Sequence, residues 1–180
     1  MVFQSAWCRS AWFRGVLLMA IGVPFLAQMA NAERRSVSLN DGWEFRQRFE
    51  EPGAAPAAWH PAEVPGVVDT DLLRNKLIPD PFFRSNESTL QWIENANWEY
   101  RSTFQATPEA LKHGHVELVF EGLDGPAEVY LNDKLILTAN NMFREWRVEV
   151  KSQLKAGANQ LLVVFPSPIT SQAKPTRGLK

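Results

Sequence analysis

Disulfides are excluded first. The 180-residue chain contains one cysteine, Cys8, and a single thiol cannot bridge two parts of one fold. The fold must be held by packing. Histidine is equally sparse: His60, His113 and His115 are scattered, and there is no CxxC or HExxH spacing, so no metal site is expected. The GxSxG elbow of serine hydrolases and the phosphate-cradling P-loop are missing too, and nothing implies a cofactor. Neither sign of charge dominates. Nineteen basic residues face twenty acidic ones, which removes nucleic acid and anionic membranes from the expected partners.

Long apolar runs are also lacking. The longest, residues 15–27, falls short of the roughly 20 residues that a helix needs to cross a bilayer. It follows Arg9 and Arg14 and precedes "ANA" at 30–32. A basic start, a short apolar centre and a small-residue exit make residues 1–32 a secretory signal peptide, cleaved after Ala32. The expected location is secreted or periplasmic. The mature region would carry 17 basic and 20 acidic residues, a net charge of −3, and no cysteine.

What is present is alternation. Trp98, Tyr100, Ser102 and Phe104 share one face of a strand, and Glu99, Arg101, Thr103 and Gln105 the other. Similar runs cover residues 43–49, 115–121, 127–131 and 144–150. Period two of this kind marks half-buried antiparallel strands. Asn132 and Asp133 join two runs and tolerate positive φ, so residues 129–137 read as a tight hairpin. The run "QLLVVF" at 160–165 reads as a central strand. Short strands joined by Gly, Asn and Asp turns imply an all-β sandwich.

One stretch breaks the rhythm. Residues 61–97 form a long excursion between strands, and only 69–76 within it read as a helix, capped by Asp69 or Thr70. Connections longer than about 12–15 residues are usually functional or disordered. This one is rich in Trp, Phe, Leu and Ile, which argues for order. Within it, "IPDPFFRSNES" (78–88) pairs two phenylalanines with a polar cluster and shows no period.

Aromatic rings and polar side chains of this kind suit sugar recognition, in which pyranose faces stack on rings. Trp43, Trp98 and Trp146 lie on apolar faces and read as core. Trp59 is open to either role, and Trp92 is the best candidate for a partly exposed ring. Glycoside hydrolysis needs two carboxylic acids about 5–5.5 Å apart for retention, and no such pair stands out. Glu99, Glu117, Glu128, Glu145 and Glu149 sit on polar strand faces, where exposure is expected. The residues therefore point to a binding or accessory domain, with no catalytic residue assigned.

Several segments resemble the N-terminal domain of β-mannosidases in glycoside hydrolase family 2. They are "LNDGWEFR" (39–46), "AEVPGVVDTDLL" (62–73), "IPDPFFRSNE" (78–87), "LQWIENANWEYRSTF" (90–104), "LVFEGLDGPAEVYLND" (118–133), "ANNMFREWRVEV" (139–150) and "LLVVFPSPI" (161–169). The resemblance implies a jelly-roll β-sandwich of galactose-binding-domain type over 33–170, with one short helix in a long loop and a solvated tail at 171–180. It implies a parent enzyme that releases terminal non-reducing β-D-mannose with retention. In that family both catalytic glutamates lie on a separate (β/α)8 barrel, so this chain is expected to be an inactive fragment, with the barrel as its intramolecular partner. The resemblance also places the 78–88 loop towards the active site. Asp80, Arg84, Asn86, Glu87 and Trp92 become candidates for a substrate-binding rim, and Phe82 and Phe83 for a contact with the barrel. The alternative is a stand-alone carbohydrate-binding module.

Overall fold

The structure, a computed structural model, describes residues 3–7, 35–49 and 57–169. The expected cleavage point after Ala32, most of the Ala/Pro loop at 51–58 and the tail at 171–180 lie outside the described residues.

Ten strands and four short helices follow along the described chain. The strands are β1 (Phe3–Trp7), β2 (Ser36–Ser38), β3 (Trp43–Arg48), β4 (His60–Ala62), β5 (Asn97–Ala106), β6 (Val116–Phe120), β7 (Ala127–Leu131), β8 (Lys134–Ala139), β9 (Trp146–Glu149) and β10 (Gly157–Phe165). The helices are α1 (Val68–Arg74), α2 (Asn86–Thr89), α3 (Trp92–Asn95) and α4 (Pro108–Lys112). A four-stranded sheet runs β2-β1-β6-β9 and a six-stranded sheet runs β4-β3-β5-β10-β7-β8. Every pairing is antiparallel. The all-β sandwich stands.

Its core follows the alternation. Leu118 and Phe120 of one sheet and Phe45, Trp98, Tyr100, Val129, Leu131, Leu161 and Val163 of the other belong to one buried cluster. Phe45 is paired in register with Tyr100, and the two rings stack with centroids 5.7 Å apart. Removing such a ring costs about 3–5 kcal/mol in a well-packed core. The hairpin also forms as read. Asn132 and Asp133 both have positive φ, 49° and 66°, which matches the strand twist. Asn132 then donates to Gln153 O and to Oδ1 of the buried Asn159, tying the hairpin to the start of β10.

Several readings need correction. The long loop carries three helices, because α2 and α3 are single turns, too short to show a helical period. Helix α1 starts one residue earlier than expected, with Val67 as N-cap and no side-chain cap. Thr70 instead donates its hydroxyl to Val67 O. Strand β4 was not anticipated. Its Pro61 is tolerated because β4 is an edge strand, where a missing N–H costs no ladder bond. Glu99 is buried on the outer face of β5, held by Arg46 at 2.7 Å and Arg48 at 3.5 Å. Arg46 and Arg101 both lie over the ring of Trp59, so the outer face is roofed and not simply solvated. Trp146 is half-buried on the edge strand β9.

Phe3–Trp7 falls inside the stretch read as a leader, yet it is strand β1, paired with both β2 and β6. Cleavage after Ala32 would remove it and open both edges that it covers.

Candidate functional site

Strand directions gather the loops of interest at one end of the sandwich. The pairing of Trp98 with Phe165 puts the start of β5 beside the end of β10. The pairings of Phe120 with Trp146 and Ala127 with Ala139 put the ends of β6 and β8 beside the starts of β9 and β7. The 66–96 excursion, the 121–126 loop, the 140–145 loop and residues 166–169 therefore share that end.

The excursion is anchored by one buried carboxylate. Asp71 of α1 is completely buried. Its Oδ1 accepts from Glu63 N at 3.0 Å and from Arg74 Nη1 at 2.8 Å, and its Oδ2 accepts from the Tyr100 hydroxyl at 3.1 Å. Burial raises the Asp71 pKa above the usual carboxylate range, against the pull of these donors. Burial, with Asp71 beside it, also pushes the Tyr100 phenol up. Before α1 the chain turns through a cis Val64–Pro65 bond. A side chain at Gly66 would meet the Glu63 carbonyl at 2.3 Å, so only glycine fits there.

Further on, the 78–88 loop is held by its own polar groups. Asp80 Oδ1 accepts from Phe82 N at 2.9 Å. The Asp80 carbonyl accepts from Asn86 Nδ2 at 2.8 Å and from Phe83 N at 3.2 Å. Asp80 and Asn86 thus staple the loop, as Asx turns do. Arg84 adopts φ 55°, and its guanidinium lies over the Phe83 ring at 5.1 Å. Phe82 is 95 % exposed and Phe83 58 %. The exposed ring of Trp92 lies 6.0 Å from that of Trp98.

Beside this loop lies a hollow of about 570 Å³, floored by Trp98 and Tyr100 and walled by Val68, Leu90, Pro126 and Phe165. Of the expected rim residues only Glu87 lines it; Asp80, Arg84, Asn86 and Trp92 stand outside it. Asp69, Glu94 and Asp124 line it as well. Asp124, on a different loop, was not anticipated at this site, because only the strand register brings the two loops together. No group of three or more potential metal ligands occurs among the described residues. Within the described residues, no helix is long and apolar enough to cross a membrane.

Residues 43–178 match the family described as glycosyl hydrolase 2 galactose-binding domain-like. The chain is 41% identical over 138 residues to Beta-mannosidase B of Thermothelomyces thermophilus, covering 76% of this chain and 15% of that protein. It is 36% identical over 128 residues to Beta-mannosidase B of Aspergillus niger, covering 71% of this chain and 15% of that protein. Among solved structures, Beta-D-Mannosidase from Dictyoglomus thermophilum superposes with a TM-score of 0.69 at 40% identity, covering 78% of this chain and 17% of that one. The Amycolatopsis orientalis exo-chitosanase shares the fold, with a TM-score of 0.59 at 20% identity over 69% of this chain and 16% of that one. The chain thus spans about a sixth of the length of the relatives it matches.

Proposed function

Because the chain belongs to the glycosyl hydrolase 2 galactose-binding domain-like family, we propose that it serves as the N-terminal, sugar-binding-like domain of a β-mannosidase. The whole enzyme would remove terminal non-reducing β-D-mannose with retention, through a covalent glycosyl-enzyme intermediate formed on a carboxylate pair. That pair lies on the catalytic barrel, outside this chain. The observation that carries this reading is the identity of 34–41% to several proteins named Beta-mannosidase B, over most of this chain.

In this reading the 78–88 loop reaches the glycoside. Arg84, Glu87 and Trp92 would touch sugar, while Asp80 and Asn86 hold the loop that presents them. Phe82 and Phe83 would seat the loop on the barrel. The protein would be exported to the periplasm or the medium by its leader. Two measurements test the reading. The purified 180-residue chain should release no nitrophenol from a nitrophenyl β-mannoside; release would overturn the assignment of the catalytic pair to the barrel. In a chimera carrying residues 43–169 in place of the matched region of the Thermothelomyces enzyme, Arg84→Ala should lower kcat/KM about tenfold, the worth of one charged hydrogen bond. Unchanged turnover would remove Arg84 from the rim. Tight binding of manno-oligosaccharide by the isolated chain would favour a stand-alone binding module instead.

A further inference from the structure

Residues 3–7 are asked to do two things. By sequence they open a secretory leader, ahead of the apolar run at 15–27 and the cleavage point after Ala32. In the fold they are β1, an interior strand of the sheet that runs β2-β1-β6-β9. Phe3 to Trp7 pair with Phe120 to Val116 along the whole of β6, and Gln4 to Ala6 pair with Ser38 to Ser36 along the whole of β2. Both ladders are antiparallel.

The neighbours of β1 depend on it unequally. Among the described residues β2 meets the sheet through β1 alone. The three residues of β2 are exposed, so little burial holds it once that ladder is gone. β6 is different. Val116, Leu118, Val119 and Phe120 are buried, and β9 pairs with its other side. Phe45, Trp98, Tyr100, Leu118, Phe120, Leu161 and Val163 of the core all lie on strands that cleavage leaves in place. A chain cut after Ala32 therefore keeps its core and loses the β2 side of one sheet, with β6 left as an open edge.

The two uses exclude each other in time. A leader is recognised, threaded and cut as part of an unfolded chain. A strand bonded on both sides is released only when the sheet opens, and interior strands open at the costly end of the range of local unfolding. Chain order sets which use comes first. β6 lies in the second half of the chain, so β1 has no interior place until synthesis has passed Phe120. Such distant pairing is also slow to form, because its loop must close first. The start of the leader is thus free early and stored late.

We propose that residues 3–7 make export and folding of this chain mutually exclusive: folding of the sandwich stores the start of the leader as β1 and withholds it from the export machinery and signal peptidase. A chain still unfolded is exported and cut. A chain that folds first is retained with its leader attached. This rests on the export by a leader proposed above.

The test offers the purified 180-residue chain to signal peptidase in detergent micelles, once folded and once diluted from urea into the reaction, with cleavage read by mass and N-terminal sequencing. The folded chain should be cut after Ala32 about tenfold more slowly, or slower still, than the diluted one. Ser5→Pro removes an N–H from the centre of β1, where an interior strand does not tolerate proline. Judged against its own urea-diluted rate, it should lose most of this protection, and amides of residues 116–120 should exchange faster in it than in the parent. Equal cutting of folded and diluted parent overturns the switch. So does a folded Ser5→Pro chain that exchanges faster at 116–120 and is still cut as slowly as the folded parent. If Ser5→Pro does not fold, the two parent rates decide alone. A diluted parent that is never cut after Ala32 overturns the leader and the switch with it, and leaves the assignment to a β-mannosidase standing.

Discussion

Replacing Asp71 by alanine tests what holds the functional end of the domain in place. The carboxylate is completely buried and accepts three hydrogen bonds. The cost divides unevenly among the donors. Tyr100 is buried, so its hydroxyl would be left without an acceptor and without water, at about 1–3 kcal/mol. Glu63 and Arg74 are exposed, and their N–H groups can turn to solvent, so each loses about 1 kcal/mol or less. Against this, the carboxylate's own desolvation, visible in its raised pKa, is relieved. The net expectation is a loss of about 2–4 kcal/mol, or about 5–15 °C in Tm for a domain of this size.

The assay is urea and thermal unfolding of the 180-residue chain, followed by circular dichroism and tryptophan fluorescence. Tyr100→Phe removes the same bond from the other side, and the double variant should show a coupling of about 1–2 kcal/mol. If Asp71→Ala lies within about 0.5 kcal/mol of the parent, or the coupling vanishes, Asp71 is not the anchor of the excursion.

Two further outcomes follow, one from titration and one from strand pairing. Asp71 has a raised pKa, so the pH-dependent part of its contribution to stability is present below the usual carboxylate range and is lost as pH rises through the raised value, while the bonds it accepts as a carboxylate remain. Glu117 is the opposite case: hydrogen bonding from His115, with Arg147 nearby, lowers its pKa, so its contribution is lost as pH falls through that lowered value. Stability–pH curves should therefore lose slope in opposite senses in Asp71→Asn and Glu117→Gln, and parallel curves would refute both assignments. Hydrogen exchange tests the role of β1: amides of residues 116–120 should exchange faster in the 33–180 chain than in the full one, and equal protection would mean that β1 does not cover β6.

The legible parts of the fold were those with a long repeat. β5, β7 and β9 each alternate over four residues or more, and the alternation named their buried faces correctly. The Asn132-Asp133 turn was legible because it needs a backbone conformation that few residue types tolerate. Single helical turns gave no such signal, since four residues cannot display a 3.6-residue period. Burial of Glu99 was hidden for a different reason. It depends on Arg46 and Arg48 of the neighbouring strand and on Trp59, which reaches over from before β4, and a strand read alone shows only its own two faces. The candidate site was half legible. Composition marked the 78–88 loop, but Asp124 lines the hollow beside it only through strand register.

The loop also contains a reason for the two roles proposed for it to be linked. Arg84 sits at positive φ, a conformation that costs a residue with a side chain about 1–2 kcal/mol. That conformation holds its guanidinium over the Phe83 ring. In the chain alone that contact is exposed and worth about 0.5–1 kcal/mol, rising to about 2 when water is excluded. Docking of Phe83 against a partner would exclude water and hold Arg84 in place at the rim. Phe83→Ser should then raise KM for a mannoside in the chimera, much as Arg84→Ala does, with little further effect when the two are combined. If Phe83→Ser and Arg84→Ala are simply additive in kcat/KM, the ring does not position the guanidinium, and docking and sugar contact are separate functions of one loop.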